Sequence, residues 1–232
     1  MRQFKIRCSA IGQIMGEPRT KAAKEAGELS QTAQTYCKQW LKEQLYKRRK
    51  EFSSKYTDKG NIMEDNSLDF VAEQLGYGML LKNESHYSND FMTGTPDAIL
   101  PKLIIDVKNS WDFSTFPLLE TEIPTKDYWW QAQGYLALLK KNDFKLCYVL
   151  SDTPQHLIQR EAYWYAKNNG YEDLDQELYE QFEKRMTYPD IPDSLKLKSF
   201  DIERDDEAIK RIEQQVLKCR KYIDSLLKTI KQ

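Results

Sequence analysis

Gly94-Thr95-Pro96-Asp97-Ala98-Ile99-Leu100 is followed, across Pro101-Lys102, by Leu103-Ile104-Ile105-Asp106-Val107-Lys108-Asn109. Two apolar runs separated by a two-residue turn predict a β-hairpin, with arms over residues 91–100 and 103–109. Strand side chains alternate faces, so Asp106 and Lys108 project to one side while Ile105 and Val107 project to the other. The hairpin brings Asp97 beside them. Two carboxylates and one ammonium at the end of an apolar sheet suit a hard divalent cation. Magnesium prefers oxygen ligands and keeps several waters, so Asp97, Asp106 and the backbone carbonyl of Val107 form a candidate ligand set with room for a phosphate. Lys108 then stands where it can orient or deprotonate an attacking water, or stabilise charge building up on phosphorus. A plainer reading makes Asp97 a turn residue after Pro96, and Asp106 and Lys108 a surface cross-strand pair. Asp-x-Lys by itself does not separate the two. Its context favours the first: an apolar strand, a Pro-Asp upstream, and Tyr128-Trp129-Trp130-Gln131-Ala132-Gln133-Gly134-Tyr135 downstream.

Upstream, a helix is expected over residues 58–74, closed by Gly76. Leu68, Val71 and Leu75 form its inward stripe, and the same spacing carried backwards reaches Glu64. A carboxylate facing a core is costly unless it is paired or binds a metal. Alternatively, Glu64 sits at the edge of the stripe and reaches water. A short strand is expected at 78–82. Further out, Tyr36, Trp40, Leu41 and Leu45 mark a helix over about 30–52 that ends in Lys47-Arg48-Arg49-Lys50. That run is either a solvated helix end or a surface for phosphates. Downstream, helices are expected at 126–141 (N-capped by Thr125), 159–168, 174–186 and 205–231, with strands at 145–151 and 197–203. The order indicates an α/β (α+β) fold, a central mixed β-sheet flanked by helices.

Composition permits this. Of 232 residues, 40% are hydrophobic and 31% charged, as in ordinary globular proteins and unlike disordered or fibrous ones. One domain spanning 1–232 is expected, with a basic N-terminal helical segment (about 1–59) and a long C-terminal helix (about 205–231). No apolar stretch approaches a membrane span, and no secretory signal follows the start, so a cytoplasmic location is expected. The net charge of −1 hides an asymmetry: residues 1–59 hold 14 Lys and Arg against 6 Asp and Glu, leaving 21 against 30 in the remainder. Cys8, Cys37, Cys147 and Cys219 are too far apart for a zinc or iron-sulfur ligand set and read as free thiols. With only His86 and His156, any metal here needs oxygen ligands.

These residues together resemble the PD-(D/E)xK nuclease superfamily, and within it the lambda-exonuclease or YqaJ-type phage recombination exonucleases, with RecE-like nucleases as relatives. Gly60 and Glu64 resemble the family's helix motif, Pro96-Asp97 its Pro-Asp, and Asp106-Val107-Lys108 its (Asp/Glu)-x-Lys. Gln131-Ala132-Gln133 resembles its Gln-x-Gln helix, and Gln131 to Tyr135 also fits the Gln-x-x-x-Tyr version of RecB-type nucleases. Arg2 and Ser9 fall where lambda-type enzymes bind the terminal 5′ phosphate. Those enzymes also carry an Arg shortly after the lysine, whereas residues 109–119 here contain no basic residue.

The resemblance implies a restriction-endonuclease-like core and a Mg²⁺-dependent deoxyribonuclease, with Mn²⁺ as a substitute ion. The implied activity is a 5′→3′ exonuclease on double-stranded DNA ends in phage-type recombination, inside a bacterial or phage-infected cell. Lys108, Asp97, Asp106, Glu64, Gln131 and Gln133 are implied as catalytic, and Asp97, Asp106, Val107 and Glu64 as metal-holding. Arg2, Ser9, Tyr135, Lys47, Arg48 and Arg49 are the DNA-contacting candidates. A homotrimeric ring and a single-strand annealing protein are the implied partners. Alternatives are an endonuclease or single-strand-specific nuclease on the same fold, or a non-catalytic DNA-binding module.

Overall fold

The computed structural model describes residues 2–50 and 54–230. Strand β1 (Ile6–Arg7) leads through a 3₁₀ turn (Cys8–Ala10) into the short helices α1 (Ile11–Met15) and α2 (Lys21–Glu25). Helix α3 (Gln31–Tyr46) begins where the Ser30 hydroxyl accepts from the amide of Ala33. It stops before the basic run, because Lys47 takes a left-handed conformation with φ 51°. Lys47, Arg48 and Arg49 therefore follow the helix instead of forming its last turn; the expected end at Phe52 lies outside the described residues. Helix α4 (Lys55–Leu75) opens with a capping box between Ser54 and Thr57 and closes on Gly76 with φ 68°. Glycine is favoured at such a position because it has no Cβ to clash.

Strands β2 (Tyr87–Ser88), β3 (Met92–Gly94), β4 (Ala98–Ile99) and β5 (Leu103–Asn109) follow, then α5 (Lys126–Leu139) and β6 (Asp143–Val149). Helices α6 (Gln155–Asn168) and α7 (Gln176–Met186), strand β7 (Leu197–Glu203) and helix α8 (Asp206–Ile230) complete the chain. The expected last position of the C-terminal helix, Lys231, lies outside the described residues.

The strand expected at 145–151 forms two residues earlier as β6, and two other expected strands differ in kind. Residues 78–82 alternate, with Leu80 buried between exposed Met79 and Leu81, but only Lys82 forms a bridge, to Ala98. The alternation is that of a strand; a partner strand is missing among the described residues. The expected arm over 91–100 divides at Thr95-Pro96 into β3 and β4, which belong to different sheets. Pro96 has no amide to donate to a ladder, so the break falls there.

The larger sheet is mixed, in the order β4-β5-β6-β7, with β5 and β6 parallel around the α5 crossover. The smaller sheet, order β1-β3-β2, adds a strand from the N-terminal segment that the sequence does not suggest. Alternation along β5 and β6 separates two cores. Ile104, Phe144 and Leu146 face α5, α8 and the N-terminal segment. Ile105, Val107, Cys147 and Val149 face Leu68, Val71 and Ala72 of α4. Each fully buried aliphatic side chain contributes roughly 1.5–3 kcal/mol, so both faces of β5 are committed and its register is held.

The N-terminal segment approaches α5 through two glycines. A Cβ at Gly134 would lie 2.5 Å from Ile11 Cδ1 and 2.9 Å from Cys8 Sγ, and one at Gly94 would lie 2.6 Å from Tyr135. This close seating of Cys8 carries its neighbour Ser9 to the end of the sheet.

Candidate active site

The β4–β5 hairpin pairs Ala98 with Ile105 and Ile99 with Ile104. Continuing that register by one step sets Asp97 opposite Asp106. Asp97 is held in place by accepting from the Val107 amide at 2.7 Å through Oδ2, while its own carbonyl accepts from the Asn83 amide at 2.7 Å. Asp106 is 1% exposed. Its Oδ2 forms an ion pair with Lys108, and its Oδ1 accepts from Gln131 Nε2 at 3.2 Å. Lys108 Nζ also lies 5.0 Å from the ring centroid of Tyr128 on α5. Asp106, Lys108, Tyr128 and Gln131 share the α5 side of the sheet.

A cleft of about 520 Å³ opens over this end of the sheet. The first half of α4 forms one wall, through Tyr56, Gly60 and Glu64, and Ser9, Tyr128 and Gln131 form another; Asp97, Val107 and Lys108 lie between. Glu64 is at the edge of the inward stripe. Its carboxylate is partly exposed and pairs with Lys82 at 3.2 Å, so the costly core-facing arrangement does not arise.

The electrostatics are those of two acids that cannot both be comfortable. Burial, and after it the charge of Asp106, pushes the Asp97 carboxyl up to about 7, while Lys108 and the Val107 amide pull the other way. Burial alone would lower the Lys108 ammonium, but the charges of Asp106 and Asp97 outweigh it and hold Lys108 above the usual lysine range. Lys108 is thus a cation and a donor here.

Among the described residues, no three His, Cys, Asp or Glu side chains are gathered as a ready metal cage. The donors present are two adjacent carboxylates, one of them raised by burial and then by the charge of the other, and a backbone carbonyl at Val107, with Glu64 across the cleft. This set fits a hard ion that keeps several waters, as magnesium does.

Other candidates have different surroundings. Gln133 is fully buried: its Nε2 donates to the Glu203 carbonyl and its Oε1 accepts from the Asp205 amide, both at 2.8 Å. It braces the β7–α8 junction, away from the cleft. Tyr135 is 5% exposed, stacks on Phe144, and donates to the Thr95 carbonyl at 3.1 Å; its hydroxyl lies 3.4 Å from Gln131 Nε2. It orients Gln131 and does not reach the cleft. Arg2 is exposed, and so are Lys47, Arg48 and Arg49; none of them lines the cleft. The helical face shared by Gln131 and Tyr135 is legible at a spacing of four. Which of two glutamines two residues apart turns toward Asp106 depends on what packs there.

Lys59 has no counterpart among the sequence-based candidates. It is fully buried, and its Nζ donates to the carbonyls of Trp111 at 3.0 Å and Ser151 at 2.7 Å. It ties α4 to the loops that follow β5 and β6. Lysine is so rarely buried that no sequence signal marks this role.

Comparison with protein-family models gives no match, and comparison with curated proteins gives none either. Among solved structures, a phage-related exonuclease from Haemophilus somnus 129PT is 30% identical, with the alignment covering 99% of this chain and 97% of that one at a TM-score of 0.79. An alkaline exonuclease from Laribacter hongkongensis is 15% identical over 99% of this chain and 93% of its own, with a TM-score of 0.65. The same Laribacter enzyme in complex with dAMP matches at 16% identity and a TM-score of 0.65, covering 98% of this chain and 91% of that one. At those identities the likeness is one of fold.

Proposed function

This chain belongs to the lambda-exonuclease-like family of phage-related exonucleases, and from that premise we propose that it is a Mg²⁺-dependent 5′→3′ exonuclease acting on double-stranded DNA ends. The observation that carries the proposal is Asp97 and Asp106 side by side across one hairpin, with Lys108 paired to Asp106 at the floor of an open cleft. Asp97, Asp106 and the Val107 carbonyl would hold the ion, Glu64 would assist from the opposite wall, and Mn²⁺ would serve in place of Mg²⁺. When bound, such an ion supplies charge neutralisation at the phosphate and acidifies a water. Lys108, held protonated, donates to a phosphate oxygen and stabilises the charge that develops on it. Gln131, fixed by Tyr135, holds Asp106 at the angle the pair requires. Ser9 lines the cleft and is the better placed of the two residues proposed for a terminal 5′ phosphate; Arg2 would have to move to join it. The proposal includes a homotrimeric ring around DNA, a single-strand annealing protein as partner and a cytoplasmic setting. Among the described residues no helix is long and apolar enough to cross a membrane.

The test offers purified protein and Mg²⁺ a 5′-phosphorylated linear duplex, the same duplex with 5′-hydroxyl ends, and a covalently closed circle. Degradation of the phosphorylated duplex, with the circle left intact, is expected. Asp106→Ala and Lys108→Ala should each lower the rate by at least about 100-fold. Degradation of the circle would show an endonuclease instead.

A further inference from the structure

Ser110 is two residues beyond Lys108 and is 6% exposed, yet its hydroxyl has no hydrogen-bond partner. The backbone around it is held from several directions. Its own amide donates to the Val149 carbonyl at 3.0 Å. The preceding Asn109 Oδ1 accepts from Ser67 Oγ at 2.6 Å and Ser151 Oγ at 2.9 Å. The following Trp111 carbonyl accepts from Lys59 at 3.0 Å. Among the described residues, the other buried side-chain oxygens without a hydrogen bond are Asp106 Oδ2, which is ion-paired to Lys108, and Thr153 Oγ1, which does not line the cleft. Ser110 does line it. A buried hydroxyl left unpaired is a standing penalty that a ligand acceptor removes. A hydroxyl on a locked backbone, in the same cleft as the Lys108 ammonium, suits an anionic oxygen, because a charged acceptor makes the stronger bond.

We propose that Ser110 is a substrate-binding residue that donates its hydroxyl to a phosphate oxygen of the DNA strand lying in the cleft. This rests on the nuclease reading above and adds to it a contact next to Lys108. Lys59, Ser67 and Ser151 are the positioning residues that fix the 109–111 segment.

The test compares wild type with Ser110→Ala in three measurements. The first is affinity for a 5′-phosphorylated duplex, by fluorescence anisotropy in EDTA. The second is degradation of the same duplex with Mg²⁺. The third is the thermal midpoint. The duplex Kd is expected to rise about tenfold to a hundredfold, the range for a hydrogen bond to a charged group, with the midpoint unchanged or higher because an unpaired buried hydroxyl has been removed. With methylphosphonates at the terminal linkages, which lack the anionic oxygen, the difference between the two proteins should collapse. A Kd within twofold of wild type overturns the proposal, as does a fall of several degrees in the midpoint, which would mark a structural role. A Kd difference that persists on the methylphosphonate duplex overturns the phosphate assignment. Wild type that binds duplex ends but never degrades them overturns the nuclease reading while leaving the Ser110 contact standing.

Discussion

Asp97 and Lys108 are moved by the same neighbour in the same sense, toward the protonated form, with opposite consequences for their charge. Burial, joined by the charge of Asp106, raises the Asp97 carboxyl, and against burial the charges of Asp106 and Asp97 hold the proton on Lys108. Three side chains separated by a single step of strand register thus produce one strained acid and one firm cation. Gln131 and Gln133 show the converse, two identical side chains two residues apart with unrelated roles. Gln133→Ala would leave the Glu203 carbonyl and the Asp205 amide without partners, at about 1–3 kcal/mol each. The expected outcome is a loss of roughly 2–4 kcal/mol in a denaturant titration, with Mg²⁺-dependent degradation per folded molecule retained. A large drop in specific activity at full folding would return Gln133 to the site.

At the scale of elements, α4 supplies one wall of the cleft and the β4–β5 hairpin its floor, and Gly60 is where the helix yields space. A Cβ there would meet nothing within 4 Å. Glycine inside a helix is less favourable than alanine by about 0.5–1 kcal/mol. Gly60→Ala is therefore expected to raise the melting midpoint by about 2 °C, while the added methyl narrows the cleft wall and slows degradation of duplex DNA. Thermal melting and a nuclease assay on one preparation check both halves. A midpoint that rises with activity unchanged would mean that this part of the wall is not used by the strand. The α5 helix contributes differently, since Tyr128 and Gln131 enter the site from one face while Gln133 leaves by another.

At the scale of the molecule, Lys59 links α4 to the ends of β5 and β6 and makes stability depend on pH. Burial pushes its ammonium down to about 8, against the opposing charges of Asp112 and Asp152, whereas the unfolded chain titrates near 10.4. Below pH 8 both states carry the proton and the full cost of burying the charge is present. Between about 8 and 10.4 the unfolded state binds more protons, so the folded state gains stability as pH rises, by at most about 3 kcal/mol. Relative to Lys59→Met, wild type should gain stability across that window; parallel pH profiles for the two proteins would refute it.

The same scale separates what could be read in the sequence. The hairpin, the α5 crossover, the strand at 197–203 and the caps at Ser30, Thr125 and Gly76 rest on local patterns, either period or turn chemistry, that residues carry with them. The adjacency of Asp97 and Asp106 follows from the two-residue turn, because hairpin register is set by loop length. Other features depend on partners remote in the chain. Residues 78–82 alternate like a strand but, among the described residues, meet one only at the Lys82–Ala98 bridge, and the 91–100 run changes sheets at Pro96. The basic run at 47–50 lies off the cleft although it sits in the most positive part of the chain. Ser9 reaches the cleft because Cys8 packs onto glycines on two distant elements. Lys59 and Ser110 were invisible for the same reason, since one is a lysine made internal by carbonyls of two later loops and the other a serine left unpaired where all its neighbours are paired. The sequence by itself determined the candidate carboxylates, the lysine beside them and the family they resemble, through short-range spacing. Only the tertiary structure decided which side chains face the cleft, because burial and hydrogen-bond satisfaction are properties of contacts between segments far apart in the chain.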